Sequence, residues 1–140
     1  IEPIAYTLKG LGSRHVMVVH SADGLDEFSI ADKTFVAELK DGQISTYSLH
    51  PEQFGLRLGD LNEISADNSD ESLKLIYAAF SGTNKTAMNI VAFNAGAAIY
   101  VSGLTSSLQN GIDKAKEILA DGSASQKLKE YIKISNSYKL

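Results

Sequence analysis

The chain has 140 residues, 44% of them hydrophobic, which suits one domain or part of a larger one and excludes a disordered segment. The net charge is −4 and no basic stretch stands out, which argues against a nucleic-acid surface. Cys is absent, so disulfides, thiol catalysis and Cys-ligated metals are excluded, as suits the cytoplasm. No apolar run approaches the roughly 20 residues of a membrane span.

Residues 2–9 read as a short helix. Pro3 suits the first turn, Ile4, Ala5 and Leu8 form a stripe, and Gly10 and Gly12 stop it. Residues 15–20 read as a strand. Val16, Met17, Val18 and Val19 are apolar in succession, so both faces are expected to be covered, as in a parallel sheet. Residues 33–48 read as a β-hairpin around Asp41-Gly42, the dipeptide of a tight type I′ turn. Residues 51–66 have little periodicity and read as a surface connection.

A run of helices follows. Residues 69–81 put Leu73, Ile76, Tyr77 and Phe80 on one face, with Asn68 and Glu71 at capping-box spacing and Gly82 at the end. Residues 86–102 are apolar almost all round, the mark of a buried central helix. Residues 107–121 follow a Ser106 cap, with Leu108, Ile112, Ala115 and Leu119 facing inward and Gly122 closing. Residues 124–133 form a last amphipathic helix. One strand, one hairpin and five helices give an α/β chain short of sheet partners. Those partners are expected upstream of Ile1, and the start at Ile1 rather than Met reads as a processed chain or a piece of a longer one.

The stretch VMVVHSADGLDEFS, residues 16–29, concentrates the chemistry. In open α/β sheets, ligands sit beyond the carboxyl ends of strands, and the loop after His20 is at such a place. Mg²⁺ is held by one or two carboxylates plus substrate phosphates, and Asp26 and Glu27 supply two carboxylates. A solvated loop carries such pairs too, and spacing alone favours that reading. His20 could meet a ligand or simply end the strand. His15 and His50 have no partners at metal-ligand spacing and read as structural. Asp23 reads as solvated. Asn94, inside the apolar helix, must find a hydrogen-bond partner. Gly10 and Gly12 precede a strand rather than follow one, so they form no dinucleotide or phosphate loop.

The same stretch resembles the strand and acidic loop of the anthranilate phosphoribosyltransferase family, close to VVHG-x-x-GLDE-[IL]-S. The resemblance continues through TFVAELKDGQISTYSLHPEQFGL and through IYAAFSGTNKTAMNIVAFNAGAAIYVSG to SSLQNGIDKAKEILADGSASQKLKEYI. It implies the C-terminal part of a nucleoside phosphorylase/phosphoribosyltransferase-like α/β domain over residues 1–140. It implies transfer of a phosphoribosyl group from phosphoribosyl pyrophosphate to anthranilate, in tryptophan biosynthesis, assisted by Mg²⁺ held on Asp26 and Glu27. It further implies a homodimer formed through a helical domain that is not in this chain, with the N-terminal remainder of the enzyme as partner. Two positions depart from the family pattern: Ser21 stands for Gly and Asn89 for Asp. The family's GTGGD and KHGNR segments are also absent here.

A related nucleoside phosphorylase is the nearest alternative, and the GLDE pair argues against it. A non-catalytic nucleic-acid-binding paralogue should be basic and lack the pair. A purely structural fragment, completing a sheet begun by another polypeptide, is the third. Residues 1–140 alone, free of any N-terminal fragment, are expected to give no transferase activity. A turnover assay on this polypeptide decides it, and measurable product would overturn the expectation.

Overall fold

The computed structural model describes residues 1–138. The order of elements is α1 (Glu2–Gly10), β1 (Val16–Ser21), β2 (Thr34–Lys40), β3 (Gln43–Leu49), α2 (Ser69–Ser81), α3 (Lys85–Val101), α4 (Leu108–Ala120) and α5 (Ser123–Ser137). Two 3-10 turns, Pro51–Phe54 and Leu61–Ile64, lie in the connection from β3 to α2.

The sheet has three antiparallel strands in the order β1-β2-β3. The apolar run of β1 reads as part of a parallel sheet, but its one hydrogen-bonded neighbour among the described residues is antiparallel β2. Val16 to Val19 are only half-buried and His20 is exposed. An unbroken apolar run reports two covered faces, not strand direction. On one face Met17, Val19, Val36, Tyr47 and Leu49 meet Ile90, Phe93 and Ala97 of α3 and Ile112 of α4. On the other lie Ala37 and Leu39, both buried. There α1 packs against all three strands and buries Ala5. Between β2 and β3, Asp41 and Gly42 both take positive φ, 50° and 75°, as a type I′ turn requires.

Local capping signals hold with small shifts. Asn68 Oδ1 accepts the Glu71 N–H at 3.0 Å, and Asn68 Nδ2 donates to Glu71 Oε1 at 2.9 Å. The cap of α4 is Ser107, one residue later than expected. Its hydroxyl accepts the Asn110 N–H at 3.2 Å. Gly122, with φ of 83°, opens α5 instead of closing α4, because Asp121 already ends that helix. The inward stripe expected of α2 is largely uncovered: Leu73, Ile76 and Tyr77 are 37–41% exposed, and Ala79 is its only buried residue.

Helix α3 is the hub, with Phe93 and Ala92 fully buried. It reaches α4 by a glycine contact. A methyl group added at Gly96 would stand 2.5 Å from Ile112 Cα, and one added at Gly111 would collide with the Gly96 carbonyl oxygen. The backbones approach so closely that no Cβ fits between them.

At the other end of the sheet a polar cluster is enclosed. Alternation along β2 puts Glu38 on the same face as Val36. Its carboxylate accepts from the Tyr47 hydroxyl at 2.6 Å and pairs with His15 Nε2 at 2.9 Å. The His15 ring meets Tyr100 of α3 edge-on at 4.7 Å, and Lys40 Nζ donates to the Tyr100 hydroxyl at 2.9 Å. Burial alone would raise the Glu38 pKa. The hydrogen bonds from Tyr47, His15 and Tyr100 outweigh it and hold the carboxyl below its ordinary 4.5. Burial and the bond to Glu38 push the Tyr47 phenol upward.

Two outcomes follow from this packing. Gly96→Ala and Gly111→Ala should each lower stability by about 1–3 kcal/mol or more. Gly10→Ala, where an added methyl meets nothing within 4 Å, should be near neutral. Denaturant unfolding compares the three. For Glu38, a depressed folded pKa means stability that is present above 4.5 and lost as pH falls through the lower folded value. Glu38→Gln should cost about 2 kcal/mol at pH 7 and flatten the acid limb of a stability-against-pH curve below pH 4.5. An unchanged limb would remove Glu38 from the account.

Candidate functional site

Residues 22–33 connect β1 to β2 and carry the acidic pair. A short polar loop must satisfy its own backbone groups, and this one does so at several steps on both sides of the acidic pair. The Ser21 N–H donates to the Leu25 carbonyl at 2.9 Å, and the Ala22 N–H to that of Lys33 at 2.9 Å. Gly24 supplies a φ of 97° at the bend, a region that residues with a Cβ seldom enter. Ser29 is buried. Its hydroxyl donates to Asp23 Oδ2 and accepts the Ala31 N–H at 2.9 Å. Its own N–H donates to Thr34 Oγ1 at 3.1 Å. The Gly59 N–H closes on the Ile30 carbonyl at 3.1 Å.

Asp23 is thus a staple of the loop, where solvation alone was expected. Burial would raise its pKa, but hydrogen bonds from Ser21, Ser29 and the backbone hold it below the ordinary 3.8. Ser21, the departure from the family pattern nearest the pair, is buried, and its hydroxyl donates to the Lys33 carbonyl at 3.3 Å. It helps to close the loop. Asn89, the other departure, donates to the Arg57 carbonyl at 3.3 Å.

Asp26 and Glu27 are both exposed, between Leu25 and Phe28, which belong to the core cluster. Among the described residues neither carboxylate has an ion-pair partner. Glu27 stands between two grooves of about 510 and 340 Å³. The first runs between α2 and α3, past Ile76 and Val91. The second runs along β1 and α3, past Val19 and Ala98, and Asp26 lines it as well. Partial desolvation of its carboxyl against these walls, and then the charge of Asp26, raise the Glu27 pKa above its ordinary 4.5.

Adjacent carboxylates are hard-oxygen donors of the kind that hold Mg²⁺ together with substrate phosphates and water. Among the described residues no three His, Asp or Glu side chains converge on one point.

The other residues singled out by sequence lie elsewhere. His20 lines a separate cavity of about 610 Å³ on the α1 side of the sheet, with Phe35 and Glu2. His15 serves the Glu38 cluster. His50 opens the first 3-10 turn, its N–H donating to Gln53 Oε1 at 2.8 Å. Asn94 has its required partner, and that partner is the acidic loop. Its side chain pairs with the backbone of Phe28, 66 positions away in the chain. The sequence signal was present, a polar residue in an otherwise apolar helix, but nothing in it named the loop.

Comparison with known proteins places this geometry. A protein named anthranilate phosphoribosyltransferase from Ruthia magnifica subsp. Calyptogena magnifica is 59% identical over 135 residues, which is 96% of this chain and 40% of that protein. One of the same name from Halorhodospira halophila is 47% identical over 94% of this chain and 39% of its own length. The chain thus spans about two fifths of the length of the curated relatives it matches. Among solved structures, anthranilate phosphoribosyltransferase from Thermus thermophilus superposes with a TM-score of 0.81 and 34% identity, covering 93% of this chain and 38% of that one. The Saccharomyces cerevisiae enzyme in complex with PRPP and Mg gives a TM-score of 0.74 at 25% identity, over 88% of this chain and 36% of that one. Residues 1–125 match the family model described as "Glycosyl transferase family, a/b domain", and the chain, with its antiparallel sheet, central helix α3 and acidic loop, belongs to that family.

Proposed function

We propose that this chain is the C-terminal part of the α/β domain of an anthranilate phosphoribosyltransferase. The reaction breaks the bond between ribose and pyrophosphate in phosphoribosyl pyrophosphate and forms one to the amine of anthranilate. The observation that carries the reading is the acidic pair. Asp26 and Glu27, with no ion-pair partner among the described residues, stand on a loop whose two flanks are tied down. The names shared by the relatives support the substrate assignment, and the Mg of the yeast complex supports the metal.

In this reading Asp26 and Glu27 hold Mg²⁺, which when bound offsets the charge of the phosphorylated substrate and of the departing pyrophosphate. The chain's own part is to present two carboxylates at fixed positions and to keep cationic side chains away from them. The phosphate cradle and the acceptor pocket belong to the remainder of the enzyme. The groove along β1 and α3, bordered by Val19, Ala98 and Val101, is the surface that the remainder would cover. The assembled enzyme is proposed to be a cytoplasmic homodimer formed through its helical domain.

Calorimetry with phosphoribosyl pyrophosphate and Mg²⁺ tests the assignment in the full-length polypeptide that carries this chain. Metal-dependent binding should fall at least about tenfold in Asp26→Asn and in Glu27→Gln. Equal binding by wild type and Asp26→Asn removes Asp26 from the site. The raised pKa of Glu27 adds a pH dependence. Protons compete with the metal for a carboxyl that takes them up more readily than usual, so affinity should begin to fall above pH 4.5 as the solution is acidified. A decline confined to lower pH would count against Glu27 as a ligand.

A further inference from the structure

We infer that Asn94 is a positioning residue for the acidic pair, acting through the backbone of Phe28. The inference rests on the reading of Asp26 and Glu27 as metal ligands and extends it to a residue on a different element. Asn94 lies on α3 and touches neither substrate nor metal in this account. Its Oδ1 accepts the Phe28 N–H at 2.9 Å, and its Nδ2 donates to the Phe28 carbonyl at 2.9 Å and to the Ile90 carbonyl at 3.0 Å.

The chemistry fixes the orientation of the amide. Turned over, its NH₂ would face the Phe28 N–H, and its oxygen would face two carbonyls. Both amide protons and one oxygen lone pair are used. The bond to Ile90, one turn back along α3, holds the side chain in place. The two bonds to Phe28 are the reciprocal pair that a neighbouring strand would make, so the amide stands in for a strand at this one residue.

The consequence lies next door in the chain. Glu27 is bonded directly to Phe28. On the other side of the pair, the Leu25 carbonyl accepts the Ser21 N–H at 2.9 Å. The dipeptide Asp26-Glu27 is therefore suspended between one anchor on β1 and one on α3. The Phe28 ring reinforces the second anchor, stacking on Phe93, the neighbour of Asn94, at a centroid distance of 4.5 Å. Asn94 and Glu27 also line the same two grooves, which places the anchor beside the carboxylate it serves. Residues that orient ligands are commonly worth about 10–100-fold in metal affinity.

The test uses the full-length polypeptide and two variants, Asn94→Ala and Leu119→Ala. Leu119 is a buried residue of α4 in a separate cluster with Ala92 and Ala115. Its truncation destabilises the fold without touching the loop. Mn²⁺ affinity is measured by calorimetry with phosphoribosyl pyrophosphate present, and amide hydrogen exchange is measured at residues 25–29. Asn94→Ala should weaken Mn²⁺ binding about tenfold or more and speed exchange at Phe28. Leu119→Ala should lower the unfolding temperature while leaving Mn²⁺ affinity within twofold of wild type. Wild-type affinity in Asn94→Ala, or an equal loss in both variants, overturns the positioning role and leaves the acidic pair standing. Absence of Mn²⁺ binding in wild type overturns the acidic pair, and the positioning role with it.

Discussion

Everything in this chain is arranged around helix α3, and the constraint that allows it is the glycine contact with α4. Helix α3 has to meet the sheet through Ile90, Phe93 and Ala97, and α4 through Ala92 and Gly96. A helix that packs on two sides cannot slide to accommodate an extra methyl group on one of them. Gly96 and Gly111 let α3 and α4 approach until backbone touches backbone. The helix is thereby held at one depth below the sheet. That depth decides whether the amide of Asn94 reaches Phe28. A shift of even an ångström would stretch bonds of 2.9 Å beyond useful length.

What was legible in the sequence was what neighbouring residues decide among themselves. Asp41-Gly42 carries its turn type in two residues. Asn68 and Glu71 carry a helix start in four. The apolar circumference of residues 86–102 announces burial by itself. What was not legible depends on groups far apart in the chain. The partner of His15 is Glu38, 23 positions on. The partner of Asn94 is 66 positions back. Gly96 and Gly111 read as ordinary small residues until two helices are brought together. The neighbours of β1 were hidden for the same reason, since a run of four apolar residues states how much is covered and not by what. For the acidic pair, the residues alone left solvation in front. The resemblance, not the physics, turned the assignment toward metal.

The exposed surface carries a complementary message. A free strand edge with apolar side chains invites pairing with another strand, and β1 has such an edge, with Val16, Met17 and Val19 lining the groove beside it. The apolar stripe of α2 is also left partly open, at Leu73, Ile76 and Tyr77. Relatives with the same α/β unit are about two and a half times as long. The Glu38 cluster behaves differently. Its members satisfy one another within the described residues, and among these no buried side-chain polar atom lacks a partner. That end of the sheet needs nothing more in order to hold together.

The acidic loop lies between these two conditions. Its backbone is tied on both flanks, so the loop keeps its shape without a ligand. The carboxylates of Asp26 and Glu27 have no ion-pair partner among the described residues, and partial burial and then the charge of Asp26 raise the pKa of Glu27. A loop shaped only by a bound cation would have to order itself each time the cation arrives, and that entropy would weaken binding. Here Ser21, Ser29, Thr34 and Asn94 fix the backbone in advance. In the proposed reading, the repulsion between Asp26 and Glu27 then remains for Mg²⁺ to relieve. Stability rests on the loop's hydrogen bonds, the Asp23 carboxylate among their acceptors, and in the proposed reading metal affinity is left to Asp26 and Glu27. This division allows either carboxylate to be replaced by its amide without dismantling the loop that presents it.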